Sequence, residues 1–109
     1  MFRNDRQASE AIQALLSTVR LEHLWNPDGP TSAALKYRDS NGGPLSSGER
    51  VILLAAFDLW NSTGGLKFSE VPGPLDPGKA RKLLSLLSAI TNGTDAVDQW
   101  IAKESGVHA

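Results

Sequence analysis

The sequence of 109 residues contains no cysteine. Disulfide bonds, thiol catalysis and cysteine-ligated metal sites are therefore excluded. Histidine occurs only twice, at His23 and His108, so a zinc site built from several histidines is not available either. From these absences we expect no catalytic group, no metal site and no cofactor.

A large charge of one sign is also missing. Eleven Lys and Arg stand against twelve Asp and Glu, which gives a formal net charge of -1. Such a balance produces no long-range field toward nucleic acid or an anionic membrane surface. Hydrophobic residues make up 40% of the chain and charged residues 21%, as in ordinary globular domains, so we expect a single folded domain over residues 1–109.

Long hydrophobic runs are missing as well. The longest covers residues 51–57 and falls far short of the roughly 18 residues that span a bilayer. After Met1 and Phe2, residues 3–7 are polar or charged, and no apolar core of a secretory signal follows. We therefore expect no membrane association and a cytoplasmic location.

Apolar periodicity predicts an all-α domain of four to five short helices. The first helix is predicted over residues 5–23, where apolar residues recur with the spacing of one helical face. Residues 26–30, Asn-Pro-Asp-Gly-Pro, are typical of a turn and end it. A short second helix is predicted over residues 33–38, with Thr31 or Ser32 as its cap.

The third helix is the best-marked element and is predicted over about residues 46–60. Ser46 and Glu49 have the spacing of a capping box, in which each side chain accepts from the other residue's backbone N–H. Residues 51–57 are apolar without interruption, so this helix is expected at the centre, surrounded by the first, fourth and fifth helices. Asp58 is expected to face solvent or to pair with a base.

Two more helices are predicted in the last third of the chain. Asp76 is the expected cap of the fourth helix and Pro77 its first residue, where proline is well tolerated. The apolar side of this helix is predicted to consist of Ala80, Leu83, Leu84, Leu86, Leu87 and Ile90. Residues 92–93, Asn-Gly, end it. Thr94 is the expected cap of a fifth helix, and residues 105–109 are predicted to be a frayed tail.

Residues 61–70 resemble the loop of a calcium-binding helix-loop-helix. Gly64 falls at the tight turn of that motif, and Leu66 and Glu70 keep its apolar-to-Glu spacing. In the same register, however, Leu59 stands where the first Asp ligand belongs. Calcium needs several anionic oxygen ligands, so we predict that this loop does not bind it.

Residues 45–49, Leu-Ser-Ser-Gly-Glu, resemble the signature sequence of ABC-type ATPases. Glu70 and residues 75–77 fall at spacings similar to the Walker B glutamate and the D-loop of that family. The sequence contains no Gly-rich phosphate loop with its lysine, and Ser69 stands where the magnesium-binding Asp belongs. We therefore interpret the likeness as shared helix-start chemistry and expect no nucleotide cofactor.

The third helix, residues 66–71 and the fourth helix are spaced like a helix-turn-helix unit. Residues 66–71 are similar to the second helix of winged-helix regulators, although at this length a helical turn and a short strand fit the pattern equally well. Lys79, Arg81 and Lys82 open the fourth helix, where basic residues oppose the helix dipole. They are candidates for binding an anion, such as DNA phosphate, or a partner.

Two hypotheses on function follow. Because the sequence carries no catalytic motif, the first is a non-enzymatic protein-binding or regulatory module, whose partner is another protein or a second copy of the chain. The alternative is a helix-turn-helix-like DNA-binding regulator that uses the start of the fourth helix. The Lys79, Arg81 and Lys82 cluster discriminates between them, because DNA binding needs one exposed basic face.

Overall fold

A computed structural model describes residues 1–41 and 43–104. Its helices are α1 (Asp5–Leu16), α2 (Ser32–Asp39), α3 (Ser47–Asn61), α4 (Pro77–Asn92) and α5 (Thr94–Glu104). Single 3-10 turns cover Ser17–Val19, Glu22–Leu24 and Phe68–Glu70, and strand β1 (Trp25–Asn26) pairs antiparallel with β2 (Gly29–Pro30). The all-α prediction is confirmed, with this small hairpin at the predicted turn. The predicted frayed tail, residues 105–109, lies outside the described residues.

The predicted helix starts are confirmed by their hydrogen bonds. In the capping box of α3, the Glu49 N–H donates to Ser46 Oγ at 3.3 Å and the Ser46 N–H donates to Glu49 Oε1 at 2.8 Å. At α4, the Lys79 N–H donates to Asp76 Oδ1 at 2.9 Å. These N–H donors hold the pKa of Glu49 and of Asp76 below their ordinary values, because they stabilise the ionised carboxylates.

The first helix is shorter than predicted. It was expected over residues 5–23, but α1 ends at Leu16 and one 3-10 turn follows it. Ser17 Oγ donates to the Ala14 carbonyl oxygen, a local bond that competes with helix continuation. Arg20 then adopts a left-handed conformation with φ of 61°, and the Leu21 N–H donates to the Leu16 carbonyl oxygen. This is the hydrogen-bond pattern that closes a helix, made here by arginine where glycine is usual.

The core is built around α3, and all seven residues from 51 to 57 are buried, as predicted. α1 packs along this helix and α2 also contacts it. The prediction that the fourth and fifth helices surround α3 as well is wrong, because α4 and α5 make their main contacts with each other and with α1. Trp25 of the hairpin meets Phe57 edge to face with 5.1 Å between ring centroids. The Arg38 guanidinium lies 4.8 Å from the centre of the same Phe57 ring. The hairpin and α2 therefore cover the end of α3 with aromatic and cation–π contacts.

A second packing unit is formed by α4 and α5, which lie against each other and against α1. Buried Gln7 of α1 joins the units: its amide donates to the Thr94 carbonyl oxygen at 2.8 Å and to Asp98 Oδ1 at 2.9 Å. Trp100 Nε1 donates to Ser85 Oγ at 2.8 Å and links α5 to α4. Among the described residues, no helix has both the length and the apolarity to cross a bilayer.

Candidate functional site: an apolar groove between two helices

The three basic residues predicted as a site do not share one free basic face. Lys79 Nζ lies 3.3 Å from Asp76 Oδ2, and Lys82 Nζ lies 2.5 Å from Glu104 Oε2. Arg81 is exposed and has no ion pair within the part of the chain that the structure describes. Anion or partner binding by this cluster therefore stays a prediction, with Arg81 as its one available charge.

The clearest surface feature is an apolar groove between α3 and α4, which we call the α3–α4 groove. Its volume is about 410 Å³, and nearly all of its lining is apolar. Its walls come from α3, from α4 and from the segment that joins them, which includes the 3-10 turn. The lining residues are Ala55, Asp58, Leu59, Leu66, Phe68, Val71, Pro72, Ala80, Leu83, Leu84 and Leu87.

The groove exists because α4 makes its main contacts with α5 and α1 and not with α3. As a result, neighbouring leucines of α4 differ in burial. Leu83 and Leu86 are buried in the core, whereas Leu84 is 58% exposed and Leu87 only half-buried. The apolar side of α4 was predicted as one surface, and the structure divides it between the core and the groove.

Phe68 stands at the rim of the groove with 93% of its surface exposed. It belongs to the 3-10 turn Phe68–Glu70, which settles the segment that the sequence left open between a helical turn and a strand. The turn is anchored by Glu70, whose carboxylate lies 3.8 Å from Arg50 of α3 and accepts from the Lys67 N–H at 3.5 Å. The aromatic ring of Phe68 is thus exposed to solvent on a turn that contacts α3 through Glu70.

Asp58 lines the groove and holds the loop that follows α3. It was expected to face solvent or to pair with a base, and this prediction is wrong. Its carboxylate accepts from the backbone N–H groups of Gly64 at 2.9 Å, Gly65 at 3.1 Å and Leu66 at 3.0 Å. Charge-assisted bonds of this kind are strong and tie the loop after α3 back onto the helix.

Gly64 is required for this loop, because a Cβ atom at that position would overlap the backbone carbonyl oxygen of Leu54. The sequence contained a signal for the arrangement, an Asp in the last turn of a helix followed by adjacent glycines at residues 64–65. In the loop that resembles a calcium site, the carboxylate of Asp58 accepts hydrogen bonds from backbone N–H groups. Across residues 1–41 and 43–104, no three or more acidic or histidine side chains converge as metal ligands.

A larger cleft, of about 590 Å³, lies between α1 and α5. Its lining mixes apolar residues with three polar ones that already have partners, Glu10, Gln13 and Asp98. The polar part of this lining gains little from contact with a partner, because it exchanges one set of hydrogen bonds for another. The smaller but apolar α3–α4 groove is therefore the better candidate.

The groove offers apolar surface and one carboxylate, that of Asp58, whose oxygens already accept backbone N–H groups. Two of the four large hydrophobic residues exposed in the described part of the chain, Phe68 and Leu84, belong to it. Exposed apolar residues that cluster in this way mark binding sites more often than scattered ones do. Comparisons of the chain with protein-family models, with curated proteins and with solved structures gave no match.

Proposed function

We propose that this chain is a non-enzymatic protein-interaction module, which acts in the cytoplasm and docks a helical segment of another protein in the α3–α4 groove. The observation that carries the proposal is an apolar groove whose rim leaves Phe68 93% and Leu84 58% exposed. Burying a large apolar side chain contributes about 1.5–3 kcal/mol, so these two positions favour a bound state strongly.

The shape of the groove favours a helical partner segment. Strands β1 and β2 are two residues long, which leaves little sheet edge for an added strand. The groove instead runs between two helices, the usual setting for an amphipathic helix that inserts its apolar side chains. Its α4 wall extends from Ala80 to Leu87, a length of roughly 10 Å at the helical rise of 1.5 Å per residue.

A wall of that length matches about two turns of a partner helix, with apolar residues at positions i, i+3, i+4 and i+7. An interface of this size lies at the small end of specific interfaces, which are weak and transient. We therefore expect a dissociation constant in the micromolar range, equivalent to about -8 kcal/mol.

A titration with a model peptide tests the proposal. The probe is a fluorescein-labelled helical peptide of about 15 residues, with leucine at i, i+3, i+4 and i+7 and with alanine and glutamine elsewhere. We expect saturable binding by fluorescence anisotropy, and we expect Leu84→Asp to weaken it at least tenfold. Leu84 is exposed, so this change leaves the core intact.

The matched control is Leu35→Asp, which introduces the same charge at an exposed leucine of α2 outside the groove. It should leave peptide binding unchanged. Equal weakening by both variants, or no binding to the wild type, would contradict the proposal. Sedimentation of the protein alone adds a further check: a dimer that Leu84→Asp dissociates would show that the groove holds a second copy of the chain instead.

A further inference from the structure

The charges around the α3–α4 groove specify its occupant more closely. We infer that the partner segment is acidic: an amphipathic helix whose apolar stripe is flanked by Asp or Glu side chains that face Lys67 and Arg81. This inference rests on the proposed function and adds the chemical class of the partner to it.

Two exposed basic residues stand next in sequence to residues that line the groove. Lys67 stands between the lining residues Leu66 and Phe68, and it is exposed. Arg81 directly follows the lining residue Ala80 and precedes Leu84 by three positions, which places it beside Leu84 on the surface of α4. Neither base has an ion pair within residues 1–41 and 43–104.

The acidic groups near the groove already have partners. Both oxygens of the Asp58 carboxylate accept backbone N–H groups of the loop. Glu70 lies 3.8 Å from the Arg50 guanidinium and accepts from the Lys67 N–H. The backbone donors occupy the oxygens of Asp58 without cancelling its charge, so the charged side chains left to pair with a ligand at the rim are Lys67 and Arg81. Complementary charges at an interface select the partner and speed its association.

The same charges argue against a second copy of this chain as the occupant. A two-fold dimer through the groove would bring the same surface of both copies together. Lys67 and Arg81 would then meet the like charges of the other copy near an apolar contact, which is unfavourable. A partner helix with acidic flanks satisfies both the apolar groove and its basic rim.

The test uses two model peptides with the same leucine pattern, one flanked by glutamate and the other by lysine at the same positions. We expect the glutamate peptide to bind the wild-type protein about tenfold more tightly at low salt, the sum of two exposed ion pairs. The preference should shrink as salt rises, because exposed charges are screened. Lys67→Glu/Arg81→Glu should invert it.

The matched control is Lys36→Glu/Lys103→Glu, which changes the net charge by the same amount at exposed lysines of α2 and α5 outside the groove. This variant should keep the preference for the glutamate peptide. If both peptides bind the wild type equally well, or if the control variant also inverts the preference, the inference of an acidic partner is wrong and the groove remains a docking site. If neither peptide binds, the proposed function fails together with the inference.

Discussion

The two sides of α3 differ in how the rest of the chain covers them. On one side α1 lies close, and Ala11, Ile12 and Leu15 of α1 are completely buried. On the other side α4 stands away, braced by α5, and Leu84 remains largely exposed. An apolar helix face is therefore not buried by its sequence alone, because a second helix must also pack against it. Here α4 packs against α5 and α1 and leaves this face of α3 uncovered.

Polar contacts fasten α1 to α5, whereas within residues 1–41 and 43–104 no side-chain hydrogen bond or salt bridge joins α3 to α4. Buried Gln7 and the salt bridge from Arg3 Nη1 to Asp98 Oδ2, 2.9 Å long, fasten α1 to α5. At the groove, three hydrogen bonds to Asp58 hold the loop after α3. The groove is therefore formed in the chain without a partner, and a preformed surface costs less conformational entropy on binding.

The largest expected effect is on the free energy of unfolding, and it should differ between two phenylalanine substitutions. Phe57 is fully buried on the covered side, so Phe57→Ala should lower the free energy of unfolding by about 3–5 kcal/mol through lost burial and an unfilled cavity. Phe68 is exposed at the groove, so Phe68→Ala should change it by less than about 0.5 kcal/mol. Urea denaturation measures both, and similar midpoints for the two variants would remove the distinction between the sides.

The next largest effect is the loss of stability expected when the loop after α3 is no longer held by Asp58. Asp58→Ala removes the acceptor of three backbone N–H groups and should cost about 2 kcal/mol, as expected for hydrogen bonds to a charged group. Asp95→Ala is the control, because that carboxylate is 94% exposed and its salt bridge to Arg3 is worth at most about 1 kcal/mol. Equal losses in thermal or chemical denaturation would show that Asp58 does not hold the loop.

A smaller effect tests the polar contacts between α1 and α5, and it is read from the pH dependence of stability. Hydrogen bonds from Gln7, and next from Arg3, hold the pKa of Asp98 below its ordinary value. A carboxylate with a lowered pKa in the folded state stabilises the protein above the unfolded pKa of about 4, and this contribution is lost as pH falls through the folded pKa. In Asp98→Asn the stability should therefore fall less steeply below about pH 4 than in the wild type.

Urea midpoints measured at a series of acidic pH values follow this difference. Asp95→Asn is the matched control, since it removes a neighbouring carboxylate that does not contact Gln7. A pH dependence of Asp98→Asn identical to that of the wild type would contradict the role assigned to the Gln7 contact.

The smallest expected effect is on DNA binding. Random duplex DNA should show no measurable binding even at low salt, because the charges of the chain balance and Lys79 and Lys82 already pair with acids. Lys79→Gln/Arg81→Gln/Lys82→Gln should then change nothing in a binding assay, and helicity should survive because glutamine is a good helix former. A micromolar, salt-sensitive complex that this triple variant abolishes would favour the alternative function.

The candidate site could be predicted only in part. The sequence located the apolar residues of α4 and the exposed Arg81, but it assigned Leu84 to the same buried side as Leu83. It gave no reason to single out Phe68, because an isolated phenylalanine between lysine and serine is compatible with burial or exposure. Which of these side chains is covered depends on where α5 and α1 hold α4.

Sequence by itself determined the features that involve only neighbouring residues. The capping box of Ser46 and Glu49 and the start of α4 at Asp76 lie where they were predicted, because each bond spans three positions. The end of α1 was predicted wrongly although its hydrogen bonds are local. Glycine is the usual signal for a left-handed residue at a helix end, and here that residue is Arg20.

The groove was decided by tertiary structure alone. Trp100 meets Ser85 across 15 positions, and Gln7 meets Thr94 across 87. These contacts fix α4 at a distance from α3, and no pattern within a single helix encodes that distance. The physical reason is that a side chain is buried only if another element packs against it and excludes water. A helix cap, in contrast, needs only donors and acceptors that are neighbours in the sequence.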